Sequence, residues 1–167
     1  MPTFPTLQAL PKYFRLLVAA FVITLNFGFY TGLNFVEHTT NFSPGGIQEN
    51  YLGNEDDAEA EEMQFKKNKS EILTLIHNHV LSLSVIFFLM GFLLALSSIK
   101  TQWKNILIVE PFISLILTFG GIYILWLGHS WIRYIIILSG VAMSVSIIIA
   151  SVIILREVLI SNPKIRN

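Results

Sequence analysis

The chain contains no cysteine. Disulfides, thiolate-bound metals, iron–sulfur clusters and c-type haem attachment are therefore excluded, leaving histidine, methionine and carboxylates as the strong metal ligands. Charge is scarce too. Asp, Glu, Lys and Arg make up 13% of the 167 residues, about half the share usual in a soluble domain. No glycine-rich phosphate loop follows a strand pattern, and no Ser–His–Asp set has the spacing of a nucleophile. The polar segments between apolar runs are too short to fold as a catalytic domain, and nothing in them suits nucleic acid. Of the whole chain 53% is hydrophobic, with a mean hydropathy of +0.64. These proportions define a polytopic membrane protein, with one domain's worth of chain.

Four apolar runs are long enough to cross a bilayer as helices, at about 16–36, 72–98, 106–127 and 131–155. The first is full length and runs into Glu37-His38-Thr39, which reads as an uncleaved span and not as a signal peptide. Two short connections, Gln102-Trp103-Lys104 and Gly128-His129-Ser130, are expected as tight turns. The fold class that follows is an all-α, four-helix up-down bundle forming a single integral membrane domain. Small residues at i and i+4 (Gly28 and Gly32 on the first span, Gly140 and Ser144 on the fourth) would let this bundle associate with itself or with other membrane subunits.

Orientation is read from the basic residues beside the spans. Lys12, Arg15, Lys100, Lys104, Arg156, Lys164 and Arg166 flank one side, and Lys66, Lys67, Lys69 and Arg133 the other. Seven against four places both termini in the cytoplasm. The loop 37–71 then faces outward. It holds nine carboxylates against three lysines, concentrated in Glu55 to Glu62, which reads as a solvated loop or short helix with cation capture as the alternative.

All four histidines fall in the outward half. His77 and His79 open the second span, His38 follows the first and His129 closes the third. The helical rise puts His77 only about 8 Å inside Ile72. Its face continues through Leu81, Ser84, Phe88, Gly91 and Ala95, a small and polar stripe expected to turn into the bundle. His79 is rotated by about 200° from His77, so one helix face cannot bring both rings to one ion. Three readings follow: interfacial histidines bonded to backbone or headgroups; a copper or zinc site of His77 with His129, His38 or Glu37; and a b-type haem held by His77 or His79 with His129.

Two further ionisable residues stand out. Glu110, before Pro111, is placed about one turn into the third span. It reads as a snorkelling carboxylate in a first turn where proline is tolerated, or as a proton-accepting or substrate-binding group beside a helix break. Arg133 reads as an interfacial anchor pairing with Glu37 or Glu71.

The order Gly46-Ile47, Tyr51-Leu52-Gly53-Asn54, Lys69-Ser70-Glu71 and His77-Asn78-His79 resembles a pattern in small inner-membrane proteins of Gram-negative bacteria. The resemblance covers the first loop and the head of the second span. It implies an inner-membrane location with that loop and those histidines as the functional face, and carries no named activity. The leading expectation is a non-enzymatic accessory subunit holding metal or haem, with an electron-transfer subunit as one form of it. A structural or assembly subunit and an oligomeric small-solute transporter are the alternatives.

Overall fold

The computed structural model describes residues 5–55 and 63–160. Most of the acidic block, from Asp56 to Glu62, lies outside the described residues, as do Lys164 and Arg166. The described chain is all-helical: α1 (Lys12–Thr40), α2 (Pro44–Leu52), α3 (Lys69–Ala95), α4 (Thr101–Trp126) and α5 (Arg133–Leu159). All but α2 are long and apolar enough to cross a membrane. They alternate in direction, so the bundle has a terminal end and a loop end.

The helices are not equally embedded in protein. Within its most apolar window α4 is 44% buried, whereas α1 is 11% buried. The most extensive contacts are α4 on α5 and α3 on α4, then α1 on α5. The spatial order is therefore α3, α4, α5, α1, and α1 lies at the edge. In the terminal half the core is built from Ala19 and Val22 of α1, Met90 and Leu94 of α3, Leu107 of α4, and Ala150 and Ile154 of α5. Toward the loop end, Phe119, Ile122 and Leu125 of α4 meet Ile132 and Ile136, with Ile47 of α2 closing the cluster. The short helix α2 thus caps the loop end of the bundle.

The helix ends are secured by side chains. Asn68 and Glu71 form a reciprocal capping box at the start of α3, with bonds of 2.8 and 3.0 Å. At the terminal end, Lys104 Nζ donates to the carbonyls of Ala95 and Ser97 (3.0 and 2.8 Å), and Arg15 Nε donates to the Val158 carbonyl (2.8 Å). The Ala95 and Val158 carbonyls belong to the last turns of α3 and α5, where lysine and arginine suit the dipole, and that of Ser97 lies just beyond α3. Glu157, buried, accepts the Ser98 N–H at 2.6 Å. Before α1, a single 3₁₀ turn (Leu7–Ala9) buries Leu7 and donates from its N–H to Leu96 at 3.0 Å.

One of the two expected tight turns is corrected and the other stands. Gln102-Trp103-Lys104 are not the turn: they form the first turn of α4, and the chain reverses before them, over residues 96–100. Lys104 is thus already inside α4 when its Nζ reaches back to the Ala95 and Ser97 carbonyls. The turn at Gly128 is where expected, with φ +104° at that glycine.

Candidate functional site

The resemblance motif resolves into the framework of the loop end. Asn41 and Phe42 both take left-handed backbone (φ 49° and 48°), turning the chain sharply from α1 into α2. Ser43 caps α2 by accepting the Gly46 N–H at 2.9 Å, while its own N–H and Oγ donate to the Thr40 carbonyl. Gly46 is held against that carbonyl, and Ile47 enters the core. After α2, Gly53 at φ +80° passes the returning backbone of residues 64–66. Asn54 donates from its N–H to Gln64 at 2.9 Å and accepts from the Gln64 N–H at 2.6 Å. The returning segment is locked onto α4: Trp126 Nε1 donates to the Lys67 carbonyl at 2.7 Å, and Lys66 lies over the indole. Tyr51 sits under this strap, and burial pushes its phenol up to about 12.

The histidines occupy this end without converging. His77 is exposed, as are Leu81, Phe88 and Ala95, so the expected inward stripe is not inward. Of that stripe Gly91 alone is buried, against Ile108. His77 and Gly91 lie within about 40° of one another around the helix, so the face is shared, and α4 meets it at Gly91 through Ile108. His79 is the histidine that meets another helix. Its ring stacks on Phe119 of α4 at 4.9 Å, and its Nδ1 donates to the Leu75 carbonyl at 2.9 Å. His38 and Glu37 lie exposed in the last turn of α1, and His129 lies exposed between α4 and α5. Among the described residues no three His, Asp or Glu side chains gather as a metal site. Arg133 pairs with neither Glu37 nor Glu71. It donates to the Gln48 side chain of α2 and lies over Tyr134, while Glu71 is spent on the α3 cap.

A second polar group lies deep between α4 and α5. Because α4 begins at Thr101, Glu110 is nine residues in, about 13 Å along the axis, and Pro111 is in the helix interior. The first-turn reading of this pair is therefore corrected. Glu110, Ser114 and Thr118 stand one turn apart, and Ser114 donates to a Glu110 carboxylate oxygen. Thr118 Oγ1 and Ser139 Oγ share a buried bond of 2.7 Å, and Ser139 also donates to the Ile135 carbonyl at 2.7 Å. Farther down, Asn26 of α1 donates to Ser151 Oγ at 2.9 Å and to the Val22 carbonyl at 2.7 Å. The other carboxylate oxygen of Glu110 is buried with no hydrogen-bond partner. The spacing of Glu110, Ser114 and Thr118 was the signal for this seam in the sequence.

Four apolar membrane-length helices with short connections, and polar side chains paired between them, define a multi-pass transmembrane helical protein. The chain belongs to the Aq_1264_TM family, described as a transmembrane helical domain, which it matches over residues 41–165. That stretch takes in α2 to α5, and α1 precedes it. No curated protein and no solved structure matches the chain.

Proposed function

We propose that the protein is a non-enzymatic accessory subunit that works by packing against a partner inside the bilayer, with α1 as the engaging face. One observation carries this reading. The edge helix α1 leaves Gly28 and Gly32 exposed with nothing within 4 Å of where a Cβ would stand, flanked by exposed Thr31, Asn34, Phe27 and Phe35. Small residues one turn apart admit close helix approach, and an amide in lipid gains from a partner. The excess of lysine and arginine beside the termini supports an inner-membrane orientation with both termini cytoplasmic.

The absence of cysteine makes the test clean. Single substitutions Phe27→Cys, Thr31→Cys and Phe35→Cys, labelled with a benzophenone maleimide and irradiated in native membranes, are expected to yield one discrete adduct. A second copy would give twice the monomer mass, and another subunit a different mass. Monomer alone at all three positions, with each thiol still open to a membrane-permeant reagent, sinks the proposal.

A ligand role at His79 is the second reading, supported by its hydrogen bond. Donation from Nδ1 to Leu75 leaves Nε2 as the basic nitrogen, the state an imidazole needs to bind metal or haem iron. His77, His129, His38 and Glu37 remain the candidates to complete the set. Protein purified gently from a respiring host should then carry copper, zinc or a reducible haem band, lost in His79→Ala; equal content in both proteins rules His79 out.

A further inference from the structure

We propose that the groove between α3 and α4 holds one anionic phospholipid, with an acyl chain lying in the groove and the phosphate on Lys104. The groove has a volume of about 220 Å³ and a wholly apolar lining. Phe87 and Gly91, both buried, form its floor, and a Cβ at Gly91 would already stand 3.5 Å from Ile108 Cγ2. Phe88 and Phe92 of α3 stand exposed along one side, and the half-buried Ile108 and Phe112 of α4 line the other. Phe112 meets Phe87 edge-on at 5.9 Å between ring centroids, which ties the two helices together under the groove. From Phe87 to Ala95 the groove runs about 12 Å along α3. Ala95 is the last residue of α3, so the groove starts at the terminal end of the bundle and leads inward, as a lipid chain does.

The outer end of the groove carries a charge. Lys104 lies one turn before Ile108 on α4. Its Nζ donates at 3.0 Å to the carbonyl of Ala95, itself a lining residue, and at 2.8 Å to that of Ser97. Two neutral carbonyls occupy two of the three ammonium donors and leave the charge unneutralised. Among the described residues no carboxylate is paired with it. At the same end Glu157 is spent on the Ser98 N–H, and Glu110 lies deeper on α4, where it receives the Ser114 hydroxyl. Lys100 and Trp103, both exposed, flank Lys104 at the start of α4. Ammonium groups and an indole at that level suit the headgroup region of an anionic leaflet.

This shape selects a lipid over a helix. A helix is about 10 Å across with its side chains, and close docking wants small residues at the contact. Laid along the groove, it would ride on the exposed rings of Phe88 and Phe92 and leave the floor empty. A single hydrocarbon chain passes between the rings, and its phosphate arrives at the ammonium. A phosphocholine would bring its own cation beside Lys104 and Lys100, whereas a phosphatidylglycerol brings none.

The test places the full chain in liposomes containing a photoactivatable phosphatidylglycerol, with a diazirine in the first half of one acyl chain. Peptide mapping after irradiation is expected to find the adducts concentrated on residues 87–95 and 108–112. Ala95→Trp fills the groove from an exposed position and should reduce these adducts about tenfold, with the melting temperature and the labelling of α1 unchanged. The phosphatidylcholine analogue should label the groove about fivefold less, the weight of one lysine beside anionic lipid. Lys104→Gln should abolish that difference. Adducts spread evenly over the exposed faces of α1 and α5 mean annular lipid only, and a groove left unlabelled means that a second copy of the chain, or nothing, occupies it. Either result overturns the proposal, as does undiminished labelling in Ala95→Trp. Equal labelling of the unsubstituted chain by the two headgroups, a comparison that needs no variant to fold, overturns it as well.

Discussion

Gly46→Ala is expected to break the corner between α1 and α2. A Cβ at this position would stand 2.1 Å from the Thr40 carbonyl oxygen and 2.7 Å from its carbon. Both are backbone atoms, and that oxygen already accepts two hydrogen bonds from Ser43. Relief requires moving the end of α1 or the start of α2, which withdraws Ile47 from the core. A loss on the order of 3–5 kcal/mol is expected, at the top of the range for single substitutions. The adjacent Gly45→Ala is the control, since its Cβ would meet only the flexible end of Glu49 at 3.8 Å. Unfolding in detergent, followed by protease cutting of the connection between α2 and α3, should separate the two variants. Equal stability would mean that the corner does not hold α2 in place.

Gly121→Leu is expected to drive α4 and α5 apart. The Cβ alone would come within 2.8 Å of Ile136 Cγ1 and 3.5 Å of Ile132 Cγ1. A full leucine there over-packs the largest helix contact in the molecule and strains the Thr118–Ser139 bond one turn away. Overpacking costs typically about 1–3 kcal/mol, and the upper end is expected because two isoleucines must move together. Gly120→Leu faces open space and should leave the melting temperature unchanged. If the two leucine variants melt alike, the close approach of α4 and α5 at Gly121 is not real.

The long apolar runs made the four spans legible, because a bilayer-length stretch of uncharged residues has few other uses. Side-chain partners were not legible in the same way. Whether His77 or His79 meets α4 depends on about 200° of helix rotation, which is set by where Phe87, Met90 and Leu94 find room. The depth of Glu110 depended on where α4 begins, which is at Thr101, ahead of the apolar run that marks the span in the sequence. Arg133 had two acidic candidates in the sequence and found Gln48, because α2 folds down over the bundle instead of staying in solvent. The loop motif was visible as a pattern, but its glycines turned out to serve backbone packing at Thr40 and Gln64.

The order α3, α4, α5, α1 also means that the bundle is a curved row more than a closed ring, since α1 and α3 make no extensive contact. A row has two margins, as a sheet has two edge strands, and each margin can accept another helix without disturbing the middle. One margin is α1, fastened through Arg15, Ala19, Val22 and Asn26 on one side and the Thr40 corner at its end, with its other side bare. Displacing α1 sideways would leave the α4–α5 seam intact. A newcomer could therefore be added or exchanged at that margin while Glu110 and its hydroxyl neighbours stay enclosed.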